Sequence, residues 1–325
     1  MLPYPIVPQL CRLQDRLPRN GSWLYEPKWD GFRCLVFKQG RTVRLQSRNG
    51  KELGGSFPEI VRAAAGLPDC VLDGELIAIK NGRQDFESLL GRLAGDSREE
   101  VSMVLFDALA CAGRDMRPAP FSERRNVLEG LPSSPFLQAT PQTDDPAVAE
   151  AWLHRSFDLG FEGVVAKKPL LPYRSGDRCM VKVKHFESVD VVVGGYTGTP
   201  GDARALILGL YDGEGTLHHV GTTSVLPAPL RAHVNELKPT ANHFNGQQPG
   251  RSRWASAQFD EWVPVEPTAV CEIEFNRLDG MKFRHSVRLV RFRPDLVPSE
   301  CTYEQLRRFG AARSIPAPDG PLTGR

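Results

Sequence analysis

Residues 26–33 read EPKWDGFR, and the role given to Lys28 decides how the rest of the chain is read. One reading is a surface turn, with Asp30-Gly31 closing a hairpin and Lys28 in solvent. The other is a reactive amine placed between a carboxylate, Glu26, and an arginine, Arg33. A lysine is nucleophilic only when neutral, and with a reference pKa of about 10.4 roughly one part in a thousand is neutral near physiological pH. Nearby cations or a bound metal favour the neutral form. A covalently used lysine is therefore expected to have other basic groups converging on it. Lys182 and Lys184, in VKVK, are candidates. On a strand their two-residue spacing points both ammonium groups to one face. A solvated strand face would show the same spacing.

The chain has 325 residues, enough for two domains of ordinary size. Its net charge is only +2, so a nucleic-acid role must rest on local clusters. Seven cysteines, at 11, 34, 70, 111, 179, 271 and 301, form no C-x-x-C pair. That pattern argues against a disulfide framework or a zinc ribbon and suits a reducing cytosol. The N-terminal MLPYPIVPQLCRLQDRLP has no continuous apolar core, so no signal peptide is expected. No run approaches the roughly 20 apolar residues of a membrane span.

Outward from Lys28, FRCLVFK and TVRLQS alternate with period 2 and predict paired strands. FPEIVRAAAGL predicts a helix, and CVLDGELIAIKNGR a strand pair turning at Asn81-Gly82. DFESLLGRLA predicts a short helix and VSMVLFDAL a buried strand. Ser122 is the expected N-cap of ERRNVLEGL, and AVAEAWLHRSFDLG is expected to be a helix ended by Gly160. EGVVAKK and RCMVKVK close this α+β half as two more strands. Beyond about residue 187 the pattern changes. DVVVGGYTG, ALILGLYD, TLHHVGTT, AVCEIEFNRL and SVRLVRFRP are short strands interrupted by one helix near PLRAHVNELK, the pattern of a small OB-type barrel. GGYTGTPG reads as a barrel loop. The expected division is 1–187, 188–313 and a Pro/Gly-rich flexible tail over 314–325.

Other side chains have both a chemical and a plain reading. Glu75 in LDGEL and Glu162 in FEGVV can hold a hard divalent cation for phosphoryl transfer, or end strands at turns. Arg48, in SRNGK, can grip a phosphate or lie exposed. Phe106, in LFDAL, offers a face for a base, or packs in the core. No P-loop and no G-x-S-x-G anchor is present.

The order EPKWDGFR, SRNGK, LDGE, LFDAL, EGVVAKK, VKVK, followed by a barrel, resembles the ordered motifs of covalent nucleotidyltransferases. Among these, the chain looks most like bacterial ATP-dependent DNA ligases of the actinobacterial LigC type and the ligase module of LigD-type end-joining proteins, over about residues 5 to 310. The resemblance implies an α+β nucleotidyltransferase (adenylation) domain followed by an all-β OB-fold barrel. It makes Lys28 the nucleophile that takes AMP from ATP and passes it to a 5′-phosphate at a nick in double-stranded DNA. It implies that Glu26 meets the adenine edge, Phe106 and Met180 its faces, Arg33 and Arg48 the ribose and phosphate region, and Lys182 and Lys184 the α-phosphate. Glu75 would bind the ribose hydroxyl and join Glu162 around Mg²⁺ or Mn²⁺. Arg293 and Asp295 match the family's final R-x-D-K motif, and Leu296 replaces its lysine.

The resemblance further implies DNA repair, repair partner proteins, and a monomeric, cytoplasmic, nucleoid-associated protein without a membrane anchor. The short stretch before Lys28 points away from an N-terminal DNA clamp and from NAD. Arg48, Lys282, Arg284, Arg288 and Arg291 are the expected DNA contacts. On a regular strand this one motif cannot put Arg288, Arg291 and Arg293 on a single surface. RNA ligase or another lysine nucleotidyltransferase is the alternative, and a non-catalytic nucleic-acid-binding protein a further one.

Overall fold

The computed structural model describes residues 2–80, 83–156, 160–226, 228–246, 249 and 262–310. They form two compact units that divide between His185 and Phe186. The expected turn at Asn81-Gly82 and the expected tail at 314–325 lie outside the described residues.

In the first unit the alternating segments become β1 (Cys11–Leu13), β2 (Leu24–Lys28), β3 (Phe32–Gln39) and β4 (Thr42–Ser47). There follow α1 (Pro58–Ala65), β5 (Cys70–Lys80), β6 (Arg83–Gln84), α2 (Phe86–Ala94), β7 (Val101–Cys111), β8 (Arg114–Asp115), α3 (Phe121–Glu129), β9 (Leu137–Ala139), α4 (Pro146–His154), β10 (Gly163–Lys167) and β11 (Met180–Lys184). One sheet has the order β4-β3-β5-β7-β8, with β6 on β5 and β9 on β7. Its central strand β5 buries apolar side chains on both faces. Leu72 joins the core with Ile60 of α1 and Leu89 of α2, and Val71 joins Leu2, Ile6 and Tyr173 on the other side. The second sheet, β1-β11-β10-β2, buries one face against Trp152 and Leu153 of α4.

Two helix boundaries differ from expectation. Ser122 lies inside α3, which begins at Phe121 with Pro120 as its N-cap. Phe121 is buried, and the Pro120 carbonyl already accepts from Glu123 and Arg124 N–H, so the first turn closes one residue early. The helix expected to run to Gly160 ends at His154, with Asp145 as N-cap accepting from Ala147 N–H at 2.7 Å.

The second unit contains β12 (Glu187–Thr199), β13 (Asp202–Tyr211), β14 (Leu217–Thr222), α5 (Ala228–Asn235), β15 (Trp262–Pro264), β16 (Val270–Phe275), β17 (Leu278–Asp279), β18 (Lys282–Phe283), β19 (Arg288–Phe292) and α6 (Glu304–Gly310). The sheet order is β14-β13-β12-β16-β19, with β15 on β12. Its two edge strands meet where Ser224 N–H donates to Val287 O at 2.7 Å and Val287 N–H to Thr222 O at 2.8 Å. GGYTGT is strand, not loop, since β12 runs on to Thr199. A Cβ at Gly194 would lie 2.4 Å from Phe244 and one at Gly195 2.5 Å from Trp262, so these glycines admit core rings.

A second correction concerns β19. A register shift between Glu272 and Ile273 places Arg291 opposite Glu272 and Arg288 opposite Glu274. Glu272 and Glu274 share a face of β16, so the bulge turns Arg288 and Arg291 to the same side. Arg293 is also there, 3.1 Å from Asp190, the cross-strand neighbour of Glu272.

The first unit is cross-braced by Arg124 of α3, buried with Asp107 of β7 at 2.7 and 3.0 Å. Its Nη1 also donates to the carbonyls of Ala119 and Leu171. Arg124→Ala leaves Asp107 as a buried charge without its partner, and denaturant unfolding should show a loss of about 3–5 kcal/mol.

Candidate active site

Strand register assembles the site. Lys28 on β2 and Lys184 on β11 both pair with Gly163 of β10, and Glu26 and Lys182 both pair with Val165. With period 2, Glu26, Lys28, Lys182 and Lys184 therefore share one face, while Tyr25, Val164, Val181 and Val183 form core on the other. Glu162, one residue before Gly163, forms ion pairs with Lys28 and, at 3.3 Å, with Lys184. Its own N–H donates to Lys28 O at 2.7 Å. Gly163 has φ 151°, and a Cβ there would lie 2.1 Å from Val183 O, so only glycine lets β10 come this close.

The electrostatics correct one expectation. Burial pulls the Lys28 pKa down, but the Glu162 carboxylate, joined by Glu75 and Asp30, outweighs it and holds Lys28 above the usual lysine value. The lysine whose pKa is lowered is Lys182, through burial and the charges of Lys28 and Lys184. Burial opposes ionisation of Glu162, but Lys28 and Lys184 hold its pKa well below the ordinary glutamate value. Among the described residues no ammonium is bonded to Glu75, and burial raises its pKa to about 7, with Asp30 and Glu162 adding to the rise against Lys28 and Arg33.

The other sheet contributes Arg33, Glu75 and Phe106. Arg33 is gripped by Asp73 at 2.5 and 2.6 Å, and its guanidinium lies 4.6 Å over the Phe106 ring. Phe106 is half-buried, whereas its strand neighbours Leu105 and Asp107 are buried. Glu26 is buried and held by Lys167 at 2.7 Å and by Gln142, whose amide donates at 2.8 Å. Lys167 also donates to Phe106 O at 2.9 Å. Met180 is buried on the face that carries Lys182 and Lys184.

Arg48 is exposed on the turn after β4, and no side-chain contact among the described residues ties it to this cluster. Lys282, Arg284, Arg288, Arg291, Arg293 and Asp295 belong to the second unit. There Arg284 is buried, Arg288 and Arg291 pair with Glu274 and Glu272, and Arg293 pairs with Asp190 and Asp295. Sequence reasoning missed Lys167, Asp73, Gln142 and Tyr173. Lys167 and Asp73 carried a usable signal, since Lys167 follows Gly163 and Asp73 precedes Glu75 at an even spacing on one strand face. Gln142 and Tyr173 lie in connecting segments whose approach no local pattern reveals.

Glu75 and Glu162, with Asp30 close by, offer hard oxygen donors of the kind that suit Mg²⁺ or Mn²⁺. Among the described residues no cluster of three metal-ligating side chains forms a site unaided. Such a cation is characteristically held by one or two carboxylates with substrate phosphates completing its shell.

The family model for the ATP dependent DNA ligase domain matches residues 8–184. DNA ligase C1 of Mycolicibacterium smegmatis is 39% identical over 93% of this chain and 94% of its own length. DNA ligase C of Mycobacterium tuberculosis is 37% identical over 94% of both. The crystal structure of the ligase domain of M. tuberculosis LigD superposes with a TM-score of 0.51 at 26% identity, covering 91% of this chain and 98% of that one. A Lig E DNA ligase structure shares the fold, with a TM-score of 0.57 at 20% identity over 89% and 100%. The chain belongs to the ATP-dependent DNA ligase family.

Proposed function

We propose that Lys28 carries AMP from ATP to the 5′-phosphate of a nick in duplex DNA, and that the register joining Lys28, Glu162 and Lys184 across Gly163 is what makes this possible. The Lys28 Nζ attacks the α-phosphorus, the bond to the leaving pyrophosphate breaks, and a lysyl-AMP phosphoramidate remains. The DNA 5′-phosphate then displaces Lys28 from the AMP, and the 3′-hydroxyl finally displaces AMP to seal the strand. Each step exchanges a leaving group at phosphorus, so positioning and charge neutralisation carry the catalysis.

Lys28 reacts as the neutral amine, which requires Glu162 to give up its ion pair. Burial and the charges of Lys182 and Lys184 then favour loss of the proton. Lys182 and Lys184 neutralise the α-phosphate. Glu26 meets the adenine edge, Phe106 and Met180 its faces, and Arg33 and Arg48 the ribose and phosphate region. Glu75 and Glu162 hold the divalent cation, whose role when bound is Lewis-acid neutralisation of phosphate charge. Arg293 and Asp295 handle the departing pyrophosphate. Residues 1–187 act as the adenylation domain and 188–313 as the OB-fold domain.

Lys282, Arg284, Arg288, Arg291 and Arg48 contact the DNA backbone, Arg288 and Arg291 by exchanging their glutamates for phosphates. Because those arginines are already neutralised, bare affinity for a nick is low, which favours repair partner proteins that deliver the enzyme. It acts as a monomer in the cytoplasm, at the nucleoid.

Incubation with ATP and Mg²⁺, followed by intact mass measurement, should add one AMP to the wild type and none to Lys28→Ala. Sealing of a pre-adenylated nick should survive in part in that variant. Proton and cation compete for Glu75, so the Mg²⁺ concentration needed for half-maximal charging should fall as pH rises through about 7. Glu75→Gln should abolish that dependence, along with most charging. In fluorescence-anisotropy titrations across salt concentrations, Glu272→Gln should tighten nick binding. Arg291→Ala should weaken it and lower the salt slope by about one.

A further inference from the structure

Arg33 does not reach its place unaided. Its Nε and Nη2 are both committed to Asp73, and Nη2 also donates to Gln9 O at 3.2 Å. Asp73 is fully buried, so its carboxylate can be oriented only by protein groups. The Tyr173 hydroxyl donates to Asp73 Oδ2 at 2.7 Å and accepts from Gln9 N–H at 3.0 Å. Three segments distant in sequence thus converge on one carboxylate: the N-terminal stretch at Gln9, β5 at Asp73 and the β10–β11 connection at Tyr173. The Tyr173 ring is packed among Ile6, Leu35, Phe37 and Val71, and its N–H donates to Arg117 O. Burial, then the Asp73 charge, raise its pKa well above the tyrosine value, so the phenol keeps its proton and remains the donor.

We infer that Tyr173 is a positioning residue for nucleotide binding: its hydroxyl fixes the Asp73 carboxylate, which holds Arg33 over Phe106 with its remaining donors toward the nucleotide. The inference rests on the reading that Arg33 meets the nucleotide. Without the hydroxyl, Asp73 Oδ2 loses a hydrogen bond to a charged group and the carboxylate can turn, taking the guanidinium with it. Arg33 would hold ATP alike in the ground and transition states, so its displacement shows in KM rather than in the maximal rate.

The test is self-adenylation of the whole chain by ATP, with Tyr173→Phe, Arg33→Met and the double variant compared at equal folded fraction by thermal unfolding. Tyr173→Phe should raise the KM for ATP about ten-fold with the maximal charging rate nearly unchanged. It should add nothing further in the Arg33→Met background. A raised KM in Arg33→Met with an unchanged KM in Tyr173→Phe overturns the inference and leaves the reading of Arg33 standing. An unchanged KM in Arg33→Met overturns that reading itself. Additive effects of the two substitutions place the action of Tyr173 elsewhere and also overturn the inference. If Tyr173→Phe does not fold, Asp73→Asn replaces it, keeping an acceptor for the hydroxyl while loosening Arg33; an unchanged KM there is equally contrary.

Discussion

One buried carboxylate, Glu162, held between two ammonium groups, is the constraint on which the candidate site depends. A charge removed from water is tolerated only with close partners, and Lys28 and Lys184 can be those partners only if β2, β10 and β11 pair in one register. A shift of one residue along β10 would turn Lys28 and Lys184 toward opposite faces and leave Glu162 unpaired. The same shift would bring a side chain to the point where Gly163 now meets Val183 O. Electrostatics and sterics therefore select the same alignment, and the core beneath it, from Val164 to Val183, follows.

This arrangement also keeps Lys28 protonated, which on the proposed role of Lys28 leaves it unreactive until Glu162 releases it. Lys28 is held as an ammonium by Glu162, and Glu75 keeps its proton more readily than an ordinary glutamate. On the proposed function, a ligand carrying phosphates and a divalent cation would answer both: it would give Lys182 and Lys184 an anion to neutralise and the carboxylates a cation to share. These groups lie on two sheets, Lys28, Lys182 and Lys184 on one and Glu75 on the other.

What was legible in the sequence follows the range over which each feature is determined. Period-2 alternation is local, so the strands and the shared face of Lys182 and Lys184 could be read directly. Glu162 beside Gly163 was legible as a candidate, but its choice of Lys28 as partner was not, because the ion pair joins residues 134 apart. That partner also reverses the sign expected for the Lys28 pKa, since neighbouring cations were visible in VKVK while the nearer carboxylate was not. Tyr173, Gln142 and Asp73 act through contacts between segments that only the folded chain brings together. Helix ends failed for a different reason: Pro120 and Phe121 set the start of α3 through burial, which overrides the capping preference of Ser122.

The barrel shows how one irregularity changes a charge argument. In a regular strand Arg288 would face away from Arg291 and Arg293, and a continuous basic face would be impossible. The bulge on β19 brings all three to one side, yet that side also carries Glu272, Glu274, Asp190 and Asp295. The face is therefore close to neutral, in keeping with a chain whose net charge is only +2. Phosphates reaching it would have to displace carboxylates rather than mobile counterions alone. Exposed pairs of this kind are individually weak, so exchange is feasible, but each exchange leaves a glutamate facing the DNA. If this face meets DNA as proposed, it would discriminate by geometry: only a backbone whose phosphates match the arginine spacing would replace several partners at once.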